Sequence, residues 1–255
     1  MSTFRDPRAE FGPLEARQQS KLRSIPHQRE RIESERDENP RDLTTLRELS
    51  RTYVELVSIS YSLGAGADEL RGFLDEAVEW FVEYEQLFHR KSAEAGEPNV
   101  PWSETPIRVI DAAQLLSMTI LLGTSEQRAR IGAVVGLRGP DTALEFLAGL
   151  HGDSLEGVDV VLSQPRPYAR LVKVVQARPE ERPKLMNEFV QHWYKDSRQA
   201  YWWGEHLRGP KYAKPVSYDG YWCFEAAAVT QLLGIDDASY RDNEYYPRDL
   251  AAVRG

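Results

Sequence analysis

The run Asp68-Glu69-Leu70-Arg71-Gly72-Phe73-Leu74-Asp75-Glu76-Ala77-Val78-Glu79-Trp80-Phe81-Val82-Glu83-Tyr84-Glu85-Gln86-Leu87-Phe88 decides the fold. Leu70, Phe73, Leu74, Ala77, Phe81, Tyr84 and Phe88 recur three or four positions apart and, at about 100° per residue, share one arc of a helical cylinder. Asp68, Asp75, Glu76, Glu79 and Glu83 fall on the opposite arc. An apolar stripe backed by an acidic ridge predicts an amphipathic helix from Asp68 to about Ala95, closed by the Gly96-Glu97-Pro98-Asn99-Val100-Pro101 loop.

The same period extends outward in both directions. Upstream, Asn39-Pro40 opens a helix whose stripe is Leu43, Leu46, Leu49, Tyr53, Leu56, Val57 and Ser60, ending at Gly64-Ala65-Gly66. Before it, Leu14 to Arg36 is very polar, with Leu14, Leu22, Ile25 and Ile32 spaced apart, and reads as an exposed helix interrupted near Pro26. Downstream, Ser103-Glu104-Thr105-Pro106 starts a helix through Leu122. Helices are then predicted at Ser125–Val135, Asp141–Leu150, Pro167–Ala177, Pro179 to about Trp203 and, after the Gly209 to Pro215 loop, Tyr221–Leu233 with Asp219 or Gly220 as cap. Only Val158-Asp159-Val160-Val161-Leu162 is β-like, and one such run makes no sheet. The expected class is all-α: a compact bundle or helical-repeat-like body of two lobes.

Charge divides those lobes. The chain of 255 residues holds 32 Lys or Arg and 40 Asp or Glu, a net charge of −8. Residues 1–128 contain 16 of the bases and 23 of the acids, so the rest holds 16 and 17. The boundary is set near Gly123 to Gln127, giving an acidic N-terminal lobe, 1–124, and a C-terminal lobe, 125–255. General nucleic-acid binding is disfavoured by this balance, and a basic protein partner is favoured. Cys223 is the single cysteine, which excludes an intramolecular disulfide and a polythiolate zinc site. The charged start Met1-Ser2-Thr3-Phe4-Arg5-Asp6 is unlike a signal peptide, and Ala112 to Leu122 is too short and polar to span a bilayer, so a cytoplasmic location is expected.

The search for catalytic chemistry yields bland readings. His151, Asp153 and Ser154 are close in sequence but lack a nucleophile elbow, and read as a polar loop. His192 and His206 lack any metal-ligand spacing, Gly64-Ala65-Gly66 has no phosphate-loop context, and Cys223 reads as a buried inert thiol. No catalytic residue, cofactor or metal is expected. The unusual feature is aromatic density: Trp193-Tyr194, Tyr201-Trp202-Trp203, Tyr212, Tyr218, Tyr221-Trp222, Phe224, Tyr240 and Tyr245-Tyr246. Such a cluster cements a core whose polar tips need partners, and Glu225, one turn after Tyr221, is placed to be one.

The blocks Tyr218-Asp219-Gly220-Tyr221-Trp222-Cys223-Phe224-Glu225-Ala226-Ala227-Ala228, Leu232-Leu233-Gly234-Ile235-Asp236-Asp237 and Asp242-Asn243-Glu244-Tyr245-Tyr246-Pro247-Arg248-Asp249-Leu250 resemble the C-terminal signature of PoNi-type immunity proteins. The segment His192-Trp193-Tyr194-Lys195 through Tyr201-Trp202 is similar to the part that precedes it. The resemblance implies an all-helical cytoplasmic protein without catalytic activity that neutralises a PoNe-type DNase toxin, often delivered by type VI secretion. It also implies that Tyr218, Gly220, Tyr221, Trp222, Glu225, Tyr245, Tyr246 and Pro247 are family-defining structure. It does not locate the toxin contacts.

Charge supplies a candidate for those contacts. A nuclease holds a polyanion in a basic cleft, so its inhibitor gains steering from an acidic surface. The ridge of Asp75, Glu76, Glu79 and Glu83 is the first candidate, and the turn of Asp236 and Asp237 with Asp242 and Glu244 the second. Homodimerisation stays open. Two other classes compete: a helical scaffold for a host partner, and a small-molecule enzyme using Glu225 as acid or base within the aromatic region.

Overall fold

The computed structural model describes residues 4–34, 43–207 and 217–251, which carry ten α-helices and no strand. The expected all-α class is therefore the class found. The Asn39-Pro40 helix start and the Gly209 to Pro215 loop lie outside the described residues. Two compact units divide the chain: residues 1–88 with 204–221, and residues 89–203 with 222–255. The charge boundary at Gly123 to Gln127 falls within the second.

In the first unit, α1 (Phe11–Ser34) packs along α2 (Leu43–Ser62), and α3 (Ala67–Glu94) follows. The predicted stripe of α3 turns inward, with Leu70, Leu74, Ala77, Phe81 and Tyr84 buried and Phe73 and Phe88 half-buried. A Schellman turn links α2 to α3. Ala65 N–H donates to Ser60 C=O (2.9 Å) and Gly64 N–H to Tyr61 C=O (3.0 Å). Gly64 sits at φ 92°, a left-handed conformation that a Cβ would oppose.

Two expectations for α1 are corrected. Pro26 does not interrupt the helix, which runs through it from Phe11 to Ser34. Nor is α1 merely exposed: Leu14, Lys21 and Ile32 are buried, with Gln18, Ile25 and Gln28 half-buried on the same face. That face repeats every three or four residues, but half of it is polar. Gln18 reaches Ser60 Oγ (2.8 Å), and Lys21 pairs with Glu55 of α2.

The second unit holds the end of α3, then α4 (Pro106–Leu122), α5 (Ser125–Val135), α6 (Thr142–Ala148), α7 (Pro165–Gln176), α8 (Arg182–Asp196), α9 (Phe224–Leu233) and α10 (Arg248–Ala251). Its centre is α9 against α4. Ala226, Ala227 and Ala228 of α9 and Ala112 and Ala113 of α4 are all fully buried, and such small side chains let helix axes approach closely. Local capping explains α5: Thr124 accepts from Gln127 N–H (3.2 Å) and the Gln127 side chain accepts from Thr124 N–H (2.9 Å). Asp141 caps α6, accepting from Leu144 N–H (3.2 Å). No helix among the described residues is long and apolar enough to cross a membrane.

The predicted helix to Trp203 stops at Asp196. Beyond it the chain turns back, stacking Trp202 on Trp193 at 5.2 Å and Trp203 on Tyr194 at 5.6 Å between ring centroids. The C-terminal helix starts at Phe224 rather than Tyr221, and Cys223, not Asp219 or Gly220, occupies its N-cap position.

Candidate functional site

Within the first unit, the signature residues Tyr218, Asp219 and Tyr221 are polar anchors. Asp219 receives the Arg17 guanidinium at 2.8 Å (Nε) and 3.4 Å (Nη2). Nearby, Lys21 and Arg51 both pair with Glu55, the latter at 2.9 Å. Burial and the neighbouring Glu55 push the Asp219 carboxyl up to about 6, against the pull of Arg17 and Lys21. The positive side of the pair is held firmly, because the Asp219 carboxylate raises the Arg17 guanidinium despite its partial burial.

A second cluster adjoins it in sequence. Tyr218 Oη donates to Asp6 Oδ2 (2.5 Å), and the same carboxylate takes Arg8 Nε at 2.9 Å through Oδ1. Burial, then the Asp6 charge, drive the Tyr218 phenol far up, so it is a permanent donor. Arg8 also donates to Tyr221 C=O (3.1 Å), and Tyr221 Oη accepts His206 N–H (3.2 Å). None of these partners was visible in local spacing, since Asp6 and Arg17 lie some two hundred positions from Tyr218 and Asp219.

In the second unit, Glu225 is buried at the first turn of α9 and accepts from Tyr168 Oη at 3.2 Å. The Cys223 thiol is its other neighbour, and no base is among its partners. Desolvation therefore pushes Glu225 up to about 7. Burial and the Glu225 charge also push the Cys223 thiol well above its ordinary value, which removes its nucleophilic character at neutral pH. The expectation that Glu225 partners aromatic tips holds, but with Tyr168 rather than Tyr221. Trp222 is buried, Tyr245 C=O accepts Cys223 N–H (2.8 Å), and the Tyr246 ring meets Tyr240 edge-on at 5.1 Å. Pro247 is buried beside it.

The acidic candidates separate on inspection. On α3, Asp75 and Glu79 are exposed and Glu83 is half-buried. Glu76 is engaged within the unit, accepting from Arg29 at 2.6 Å and Trp80 Nε1 at 3.0 Å. In the C-terminal turn, Asp237 is buried and holds Arg241 at 2.6 Å and the Tyr246 hydroxyl at 3.4 Å. Asp236 is exposed and caps Ala238 N–H (3.1 Å), Asp242 is exposed and pairs with Arg248 (2.8 Å), and Glu244 is exposed.

The polar groups screened for catalysis have structural partners. His151 meets Glu145 at 2.9 Å, Ser154 Oγ accepts Glu156 N–H at 3.1 Å, and His192 Nδ1 lies 2.8 Å from Glu188 C=O. Among the described residues no group of three His, Cys, Asp or Glu could hold a metal.

Residues 139–250 match the family model for the C-terminal domain of PoNe immunity proteins (PoNi). Immunity proteins are thus the class to which the sequence of the C-terminal part points. Over that span the chain is similar to the PoNi family, and the match reaches well upstream of the three signature blocks. No curated protein matches the chain in sequence. In three dimensions it is similar to the crystal structure of protein PA2201 from Pseudomonas aeruginosa, at a TM-score of 0.68 and 20% identity, covering 98% of this chain and 90% of that one. At that identity the likeness shows a shared fold.

Proposed function

We propose that the chain is an immunity protein that binds and neutralises a cognate PoNe-type DNase toxin by protein–protein contact, in the cytoplasm and against a toxin delivered by type VI secretion. The observation that carries the reading is the PoNi match over residues 139–250. The geometry is compatible with a binder rather than a catalyst: the buried carboxyls are tied into the core, at Asp219 by Arg17 and at Glu225 by Tyr168. The first contact surface in this reading is the acidic α3 ridge of Asp75, Glu76, Glu79 and Glu83, and the second is the turn of Asp236 and Asp237 with Asp242 and Glu244. Acidic surfaces speed capture of a basic nuclease, and speed matters when an unbound nuclease destroys the genome.

The test is co-expression with a PoNe-type nuclease toxin from the same genome. Survival of the host together with a co-purifying complex supports the reading. Cell death at full expression of the folded chain, with no complex recovered, ends it.

A further inference from the structure

The segment from Leu150 to Leu162 is the feature that the signature does not absorb. Three of the chain's exposed large apolar residues sit in it: Leu150 (51% exposed), Val160 (46%) and Val161 (45%). It is anchored, with Leu155 buried as a plug and Val158 N–H donating to Leu155 C=O at 3.3 Å. From Val158 to Leu162 the backbone runs without helix, turn or bend.

Its hydrogen bonding gives this stretch a direction. Val161 uses both backbone groups on Thr142 at the start of α6: its C=O accepts Thr142 N–H (2.8 Å), and its N–H donates to Thr142 Oγ1 (2.9 Å). In extended chain, adjacent residues point their backbone groups to opposite sides. Those of Val160 and Leu162 therefore face away from α6, and neither residue makes a hydrogen bond among the described residues. The result is a short stretch of unpaired backbone outside any sheet, rich in β-branched residues and open along one side.

The ionised side chains of the segment itself are of one sign. Residues 150–163 contain Asp153, Glu156 and Asp159, all exposed, and no Lys or Arg. Asp153 acts on Arg128, which caps the end of α6 through Leu147 C=O at 2.7 Å, while Glu156 and Asp159 have no ion pair among the described residues.

We infer that this edge is a docking strand for the basic nuclease: an extended edge of the toxin pairs with the backbone of Val160 and Leu162. Val160 and Val161 supply the apolar centre of the contact, and Asp153, Glu156 and Asp159 face basic side chains at its rim. The inference rests on the immunity reading and adds a surface to it.

Hydrogen exchange on the free chain and on its complex with a catalytically inactive form of the PoNe-type nuclease that it protects against tests it. The Val160 and Leu162 amides should exchange at least about tenfold more slowly in the complex, since pairing closes them to water. The V160S/V161S double variant should dissociate about tenfold faster, and D153K/E156K/D159K should associate about tenfold more slowly at low salt with the difference shrinking at high salt. All the changed side chains are exposed, so unchanged melting curves check that both variants fold. A wild-type complex whose loop amides exchange as in the free chain, and whose rates the variants leave unchanged, overturns the docking strand alone. A wild-type chain that forms no complex overturns the immunity reading and this inference with it.

Discussion

Asp219 and Glu225 stand six residues apart in one signature block, and the fold keeps their carboxyls by opposite means. In the first unit, Asp219 is buried against a guanidinium and lies near a second acid, Glu55, that is itself paired with Lys21 and Arg51. In the second, Glu225 has a phenol and a thiol, and no base. The first arrangement stays charged because its partners are cations; the second favours the protonated acid because a phenol and a thiol offset only part of the lost hydration. A signature acid is therefore not one kind of feature, and its neighbours decide what it does.

Removing the cation should have the largest effect. Arg17→Met leaves Asp219 buried beside Glu55 without its guanidinium, and should cost about 3–5 kcal/mol near pH 8, read by denaturant unfolding. The loss should shrink at pH 5. An acid raised to about 6 in the fold lends stability that is present below its ordinary value and lost as the pH rises through about 6. A loss independent of pH would mean that Arg17 acts by packing instead.

Glu225→Gln should behave in the reverse sense. Its folded value of about 7, against an ordinary 4.5, makes the wild type lose stability between those pH values while the amide does not. The variant should gain up to about 3.5 kcal/mol on the wild type as the pH rises from below 4.5 to 8, since the 2.5-unit difference is worth about 1.4 kcal/mol per unit. Parallel stability curves for the two proteins would show that Glu225 finds a compensating charge. Smallest of all, Glu76→Gln breaks an ion pair whose two side chains are about 40% exposed, and should change stability by under about 1 kcal/mol. A larger loss would place the Arg29–Glu76 pair with the buried network of Arg17.

Most of the fold was legible because most of its stripes are apolar. Leu70, Leu74, Ala77 and Phe81 of α3, and Leu46, Leu49 and Leu56 of α2, announce their buried face through spacing alone. α1 concealed its face because Lys21 and Gln18 occupy inward positions that a hydrophobic pattern counts as solvent. Glu225 was singled out correctly as a partner for an aromatic hydroxyl, but its donor comes from α7, and local spacing carries no record of that approach. Asp219 was read as a helix cap for the same reason: its partner lies 202 positions away. The strand edge at Val158 to Leu162 was visible as a β-like run, but only its seating on Thr142 shows which backbone groups face outward.

The central claim is that this chain inhibits a nuclease by binding it. Its most direct measurement is DNA cleavage by the PoNe-type toxin used in co-expression as purified chain is added. Cleavage should fall in proportion to the added chain and stop once the toxin is fully bound, with a constant stoichiometry between preparations. Cleavage that continues at the uninhibited rate in the presence of excess folded chain would contradict the account.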